Sequence, residues 1–130
     1  MQSTTPDPEP LLPLSPATFY ILLTLAAGEH HGYGIMQEIR AQTKGKLNIG
    51  PGTLYRSIKN LLAEGLIIEA DERPDPTIND ERRRYYRLTD FGSRVAAAEA
   101  QRLVEIVDLA RTRQLLPNNG QFLIGGELYA

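Results

Sequence analysis

The sequence contains no cysteine. This absence excludes a disulfide scaffold, a cysteine nucleophile and a thiolate metal site, and it fits a reducing cytoplasm. No apolar run approaches the roughly 18 residues that a membrane-spanning helix needs. The N-terminus also lacks the basic start of a signal peptide. We therefore expect a soluble protein located in the cytoplasm.

Acidic residues are missing from one segment in particular. The chain of 130 residues has a net charge of −2, which by itself gives no support for nucleic-acid binding. Residues 39–63 nevertheless contain no acid, and basic residues occur there at Arg40, Lys44, Lys46, Arg56 and Lys59. A second basic cluster consists of Arg82, Arg83, Arg84 and Arg87. A locally positive surface can therefore coexist with an acidic remainder.

The stretch 48–70 joins an amphipathic helix to a strand. Pro51 suits the first turn of a helix and Gly65 suits the left-handed residue just past its end, so a helix is predicted from Pro51 to Glu64. One side of this helix is apolar, with Leu54, Ile58, Leu61 and Leu62. The opposite side carries Arg56, Lys59, Asn60 and Ala63. The spacing predicts one packed face and one positively charged outward face.

Two other helices are predicted before this one. Ser15 is a suitable N-cap for an apolar helix that begins at Pro16 and stops at Gly28. After a glycine-rich turn at residues 29–34, a second amphipathic helix ends near Thr43. The connection that follows leads directly into the helix that begins at Pro51. This order is a helix-turn-helix, in which the last helix enters the major groove of DNA.

The rest of the chain predicts a hairpin and a long helix. Residues 66–70 and 83–89 are typical of strands, and the turn-forming residues between them predict an antiparallel hairpin with a long mobile tip. A helix-turn-helix followed by such a hairpin is a winged helix. Thr89 or Asp90 then caps a helix predicted over residues 91–115, and its apolar side has no partner left in so small a domain. A second copy of the chain is the expected partner.

The predicted fold is mainly α with a small antiparallel β-hairpin (α+β). We expect a mobile N-terminal arm at residues 1–13, a winged-helix domain at 14–89, a dimerisation helix at 90–116, and a tail at 117–130 to which no pattern assigns a role. The predicted dimer surface consists of Phe19, Leu22, Val95, Leu103, Ile106, Val107 and Ala110.

Three motifs together resemble the PadR family of bacterial winged-helix transcriptional regulators. They are GYGIMQEI at 32–39, GPGTLYRSIKNLLAEGLI at 50–67 and RRYYRLTDFG at 83–92. The resemblance covers residue 15 to about residue 113. It implies a homodimer that binds a palindromic operator in double-stranded DNA, usually as a repressor, and that is released by a small-molecule effector or a stress signal. The single helix after the wing is similar to the shorter branch of that family.

The resemblance also implies which residues contact DNA. It places Tyr33, Thr53 and Tyr55 at the DNA backbone, around the start of the recognition helix. Arg56 and Lys59 would lie along the groove. At the base of the hairpin loop, the further contacts would be Arg82 and Arg83.

Physical reasoning on the same residues leads to a similar surface. The helix start at residues 50–53 offers free backbone N–H groups to a phosphate, and Gly52 lets the DNA backbone come close. The charged face with Arg56, Lys59 and Asn60 could be an ordinary solvated face. Because no acid balances it before Glu64, contact with phosphates and base edges is the preferred interpretation. Arg56 is the best candidate for reading guanine.

Other functions find less support in the sequence. The acids in the hairpin loop at 71–81 argue against deep contact of the wing with DNA, and they leave open a winged helix that binds protein instead. His30 and His31 have no cysteine or acidic cluster beside them and are more typical of a polar turn than of a metal site. No catalytic triad or pair of carboxylates stands out. We therefore expect no enzymatic activity, no metal and no cofactor.

Overall fold

A computed structural model describes residues 6–70 and 84–117, together with the backbone of residues 122–124 and 127–129. The helices are α1 (Pro16–Ala26), α2 (Gly32–Gln42), α3 (Pro51–Ala63) and α4 (Asp90–Thr112). The strands are β1 (His30–His31), β2 (Ile67–Glu69), β3 (Tyr85–Leu88), β4 (Phe122–Ile124) and β5 (Glu127–Tyr129). The chain divides into two compact units, Met1–Glu99 and Ala100–Ala130.

The first unit combines the three helices α1 to α3 with an antiparallel sheet of order β1-β3-β2. The hairpin predicted after the third helix is confirmed, with Ile67 opposite Leu88 and Glu69 opposite Tyr86. The strand β1 was not predicted, because two residues are too few for an alternating pattern to show. It adds His31 opposite Tyr85 and turns the expected hairpin into three strands. The α+β class and the winged-helix order are thus confirmed.

The helix α3 begins at the predicted residue, ends at Ala63, one residue before the predicted end, and has the predicted faces. Gly50 is its N-cap, Pro51 occupies the first position, and Gly65 follows the helix with a φ of +77°. Three apolar side chains are buried in the common core, namely Leu54, Ile58 and Leu61. The residues predicted to face outward are exposed, namely Arg56, Lys59, Asn60 and Ala63. The core therefore anchors one side of α3 and leaves its basic side in solvent.

The helices α1 and α2 are each capped by the side chain of the residue directly before them. Ser15 caps α1 as predicted, since its hydroxyl accepts a hydrogen bond from the N–H of Thr18 at 3.1 Å. His31 caps α2, because its Nδ1 accepts from the N–H of Gly34 at 2.9 Å. The His31 ring also meets the Tyr85 ring edge-on, with 5.4 Å between centroids. His31 therefore joins the start of α2 to β3.

This cap gives a first testable expectation. Replacing His31 with alanine removes both the acceptor and the ring contact, whereas replacing it with asparagine removes only the ring contact and keeps a good capping group. His31→Ala is therefore expected to unfold at lower urea concentration than His31→Asn, with a difference of about 1 kcal/mol. Equal stability of the two variants would show that the cap contributes nothing.

The N-terminal arm is ordered over the part that the structure describes. Residues 9–11 form a 3-10 helix, and the side chains of Leu11, Leu12 and Leu14 pack against the core. The N–H of Leu14 donates to the Glu99 carboxylate at 3.2 Å, and Glu99 is only 2% exposed. The expectation of a mobile arm is therefore wrong for residues 6–13, because these leucines bury enough apolar surface to hold the segment.

The second unit contains the end of α4 and a small hairpin. The strands β4 and β5 pair antiparallel, with Leu123 opposite Leu128, in a tail for which no structure was predicted. Among the described residues, none of the helices has both the length and the apolar character that crossing a membrane requires.

The residues predicted to form a dimer surface fall into two groups. Leu22 and Val95 are fully buried in the core of the protomer itself, and this corrects their assignment to a dimer surface. In the largely apolar α1, the sequence pattern cannot show which side chains face the core. The others are half-buried or exposed, namely Phe19, Leu103, Ile106, Val107 and Ala110. The predicted surface is thus reduced to these five residues.

Candidate nucleic-acid interface

The outward face of α3 is the centre of the candidate interface. Arg56, Lys59 and Asn60 are exposed along it. Within residues 6–70 and 84–117, neither Arg56 nor Lys59 forms an ion pair. Their charges are therefore available to an anionic ligand. Since the opposite face of the helix is held in the core, these groups project from a rigid element.

The N-terminus of α3 differs from the starts of α1 and α2. No side chain caps it, whereas Ser15 and His31 cap the other two helices, and its first turn has no acidic residue, like theirs. Gly52 and Thr53 are exposed there, so their N–H groups lie at the positive end of the helix dipole without a side-chain acceptor. A methyl group at Gly52 would meet no atom within 4 Å. The fold itself does not need a glycine at this position, and the open space allows a ligand backbone to approach.

Tyr33 lies next to this helix start. It is 39% exposed on the first turn of α2, and it borders a depression of about 390 Å³ that is also lined by Arg40, Asn48 and Gly50. Arg40 Nη2 donates to Asn48 Oδ1 at 3.0 Å. The sequence prediction missed Arg40 and Asn48 as parts of this surface, although Arg40 belongs to the acid-free basic segment. Tyr33 and the start of α3 are brought together as expected.

Tyr55 is placed by packing. Its ring packs closely against Gly32. A Cβ added to Gly32 would lie only 2.7 Å from the Tyr55 hydroxyl oxygen. Any side chain at position 32 would therefore displace Tyr55. The contact holds α3 against the start of α2, and it puts the hydroxyl of Tyr55 at the first turn of α2. No local pattern in the sequence indicated this use of Gly32.

A groove of about 310 Å³ separates α3 from β3. Its lining includes Tyr55, Lys59, Arg84 and Tyr86. Arg84 was not among the predicted contacts, although it belongs to the same basic cluster. Its neighbours Arg82 and Arg83 lie outside the described residues, as does the acidic loop at 71–81.

The chemistry of the assembled surface is that of hydrogen-bond donors and positive charge. Guanidinium, ammonium, hydroxyl and backbone N–H groups all suit phosphate oxygens, and a guanidinium also suits the acceptors of a guanine edge. In the part of the chain that the structure describes, no three His, Asp or Glu side chains gather as metal ligands. His31 is instead occupied as the cap of α2.

Comparisons with known proteins agree with this geometry. Residues 21–98 match the model of the "Transcriptional regulator PadR-like family". Transcriptional regulator Rv3488 of Mycobacterium tuberculosis is 35% identical over 92 residues, which cover 71% of this chain and 77% of that protein.

Two solved structures extend the comparison. A transcriptional regulator from Clostridium thermocellum is 25% identical with a TM-score of 0.62, over 74% of this chain and 87% of that one. PadR of Bacillus subtilis, solved in complex with operator DNA, is 25% identical with a TM-score of 0.54, over 62% of this chain and 45% of that one. The chain therefore belongs to the PadR-like family, and it is a transcriptional regulator.

Proposed function

We propose that this regulator is a homodimeric repressor that binds a palindromic operator, with α3 of each protomer in the major groove. The observation that carries the proposal is the outward face of α3, where Arg56 and Lys59 are exposed and without ion pairs in the described structure. Lys59 suits a phosphate, and the fork of Arg56 suits guanine O6 and N7. The proposal places the protein in the cytoplasm and assigns it a binding function without enzymatic activity.

The start of α3 supplies the second part of the proposed contact. The N–H groups of Gly52 and Thr53, with the Thr53 hydroxyl, would bind one phosphate, and Tyr33 would flank it. Such contacts fix the position of the helix on the duplex without reading its sequence. The structure of the Bacillus subtilis relative with operator DNA supports this class of ligand.

The exposed apolar residues of α4 support the proposed dimer. Ile106 and Val107 belong to the stripe predicted from the sequence, and both remain exposed in the protomer. Two copies of α3 related by a two-fold axis would read half-sites about one helical turn apart. Recovery of such paired half-sites from random DNA would support this arrangement.

Release by a small molecule or a stress signal completes the proposal and rests on the family resemblance. Thermal-shift measurements with phenolic acids and cationic drugs would detect a ligand, because binding to the folded state raises the melting temperature. A response to none of these compounds would favour a regulator without such an effector.

The proposal is tested by removing both charges from α3. The variant Arg56→Ala/Lys59→Ala is expected to bind operator DNA about 100-fold more weakly, because it loses a base contact and a phosphate contact. The probe is the duplex that the wild-type protein most enriches from random DNA, and fluorescence anisotropy measures its binding. Neither side chain contributes to the core, so the fold should stay intact.

A matched control removes two positive charges at the C-terminal end of α4. Arg111 and Arg113 lie in the second unit, and Arg111→Ala/Arg113→Ala is expected to change operator affinity by less than about threefold. If the α3 variant bound DNA as the wild type does, or if the wild type enriched no sequence at all, DNA reading by α3 would be ruled out. A winged helix that contacts protein would then be the better account.

A further inference from the structure

An acid that the proposed interface does not use, Glu69, lies beside the basic groove between α3 and β3, where it pairs with Arg84. Arg84 directly precedes β3, and because side chains alternate along an extended chain, it lies on the same side as Tyr86, which is buried. Glu69 lies directly opposite Tyr86 in the sheet, and it therefore stands on the same face as Arg84. The charged groups that line the groove are Lys59 and Arg84, and Glu69 lies beside the groove as the partner of Arg84.

Glu69 and Arg84 form an ion pair across the hairpin. The Arg84 Nε atom is 3.5 Å from Glu69 Oε1, and the two side chains are 54% and 45% exposed. A pair with this exposure is weak, because water and salt screen it and because both side chains lose freedom. It can exchange for a stronger partner at little cost.

Lys59 provides a second cation on the other side of this groove. It projects from α3, whereas Arg84 directly precedes β3, and both line the same groove. Two cations on different elements with a groove between them suit an extended anion that passes through, such as a strand of phosphates. In the free protein, the neighbouring Glu69 occupies Arg84.

We propose that Arg84 is a phosphate contact of this regulator and that Glu69 limits operator affinity by holding Arg84 in the free protein. On binding, Arg84 exchanges the Glu69 carboxylate for a DNA phosphate. The proposal rests on the proposed function, since it takes DNA as the ligand of the α3 face. It adds a residue that the family resemblance did not assign and an acid that tunes affinity from within the hairpin.

Variants of each partner should shift binding in opposite directions. Glu69→Gln is expected to strengthen operator binding about two- to fivefold, because Arg84 is released from a weak exposed pair. Arg84→Ala is expected to weaken it and to lower the slope of log affinity against log salt by about 0.9, the value for one phosphate. The weakening should be equal for the enriched duplex and for a duplex of random sequence, because phosphates carry no sequence.

The double variant separates an exchange from a general effect of charge. If Glu69 acts through Arg84, Glu69→Gln gains nothing in a protein that already carries Arg84→Ala. A matched control is Glu29→Gln. Glu29 forms a similar exposed ion pair, with its Oε2 3.8 Å from Arg87 Nη1, and Arg87 lies on the face of β3 opposite to Tyr86. This control is expected to leave affinity unchanged.

Each result decides the proposal. An equal gain from Glu69→Gln with and without Arg84, or an equal gain from Glu29→Gln, would reduce the effect to net charge and overturn it. An unchanged affinity and salt slope in Arg84→Ala would overturn it as well. If Arg56→Ala/Lys59→Ala still weakened binding in those cases, only the role of Arg84 would fall, whereas a wild-type protein that enriched no DNA would remove the proposed function itself.

Discussion

Replacing Gly92 with alanine is expected to lower the free energy of unfolding by at least about 3 kcal/mol. A Cβ on Gly92 would lie 1.9 Å from the carbonyl oxygen of Leu66 and 2.8 Å from its carbonyl carbon. Both are backbone atoms at the start of the hairpin, so no side-chain rotation can relieve the clash. Only a shift of α4 away from β2 would make room for the methyl group.

Hydrogen bonds at the same place oppose such a shift. The N–H of Thr89 donates to the Leu66 carbonyl at 3.1 Å, and the Thr89 hydroxyl donates to the Gly65 carbonyl at 2.6 Å. The same hydroxyl accepts from the N–H of Gly92 at 3.0 Å. Thr89 thus caps α4 and ties it to the turn after α3, and moving the helix would break this network.

Urea denaturation measures the loss, with Gly52→Ala as the matched control. At Gly52 the added methyl group meets no atom within 4 Å, and alanine is the better helix former by about 1 kcal/mol. The control is therefore expected to be as stable as the wild type or slightly more stable. If Gly92→Ala denatured at the same urea concentration as the wild type, the close approach of α4 to Leu66 would be disproved.

The regular parts of this fold were accessible from sequence because local rules determine them. Pro51 and Gly65 mark the ends of α3, and an uninterrupted period of apolar residues marks its buried side. Long-range contacts are a different matter. The close approach of Gly92 to Leu66 joins residues that are far apart in the sequence, so no local pattern predicts it. The residues Asp90-Phe91-Gly92 indicated only the start of a helix.

The buried acid shows the same limit. Glu99 occupies a position in α4 where a period of 3.6 residues alone would place an apolar side chain, and it is buried as a partner of the Leu14 N–H. The proline-rich arm that provides this partner has the composition of a mobile segment. The tertiary contact overrides the composition, since three leucines that pack against the core and a hydrogen bond to the buried Glu99 offset the entropy of ordering.

For the candidate interface, the sequence predicted the helix face better than the hairpin. Arg56, Lys59 and Asn60 follow from helical spacing and from the absence of acids nearby. The role proposed for Arg84 depends on which strand residue lies opposite Glu69, and a register across a long loop cannot be read from the order of residues. The cluster of arginines at 82–84 marked the region without showing which side chain faces α3.

The largest expected effect on function comes from the proposed dimer surface. Ile106→Asp is expected to convert the dimer to a monomer and to lower operator affinity by about 10³-fold or more, to the level of non-specific binding. Ile106 is 50% exposed in the protomer, so the change should not disturb the core. In a two-fold interface the substitution occurs twice, and each copy would replace an apolar contact with a charge that has to leave water.

Light scattering distinguishes a monomer from a dimer of the 14.5 kDa protomer. Urea denaturation followed by circular dichroism shows whether the protomer remains folded. Gln101→Asp adds the same charge to an exposed position of α4 on the side away from the predicted stripe, and it is expected to remain a dimer with the affinity of the wild type. Operator binding would fail in Ile106→Asp for a geometric reason, since a monomer holds one α3 in one half-site. A dimeric Ile106→Asp variant would move the interface away from α4, and Phe19 on α1 would then be the next position to substitute.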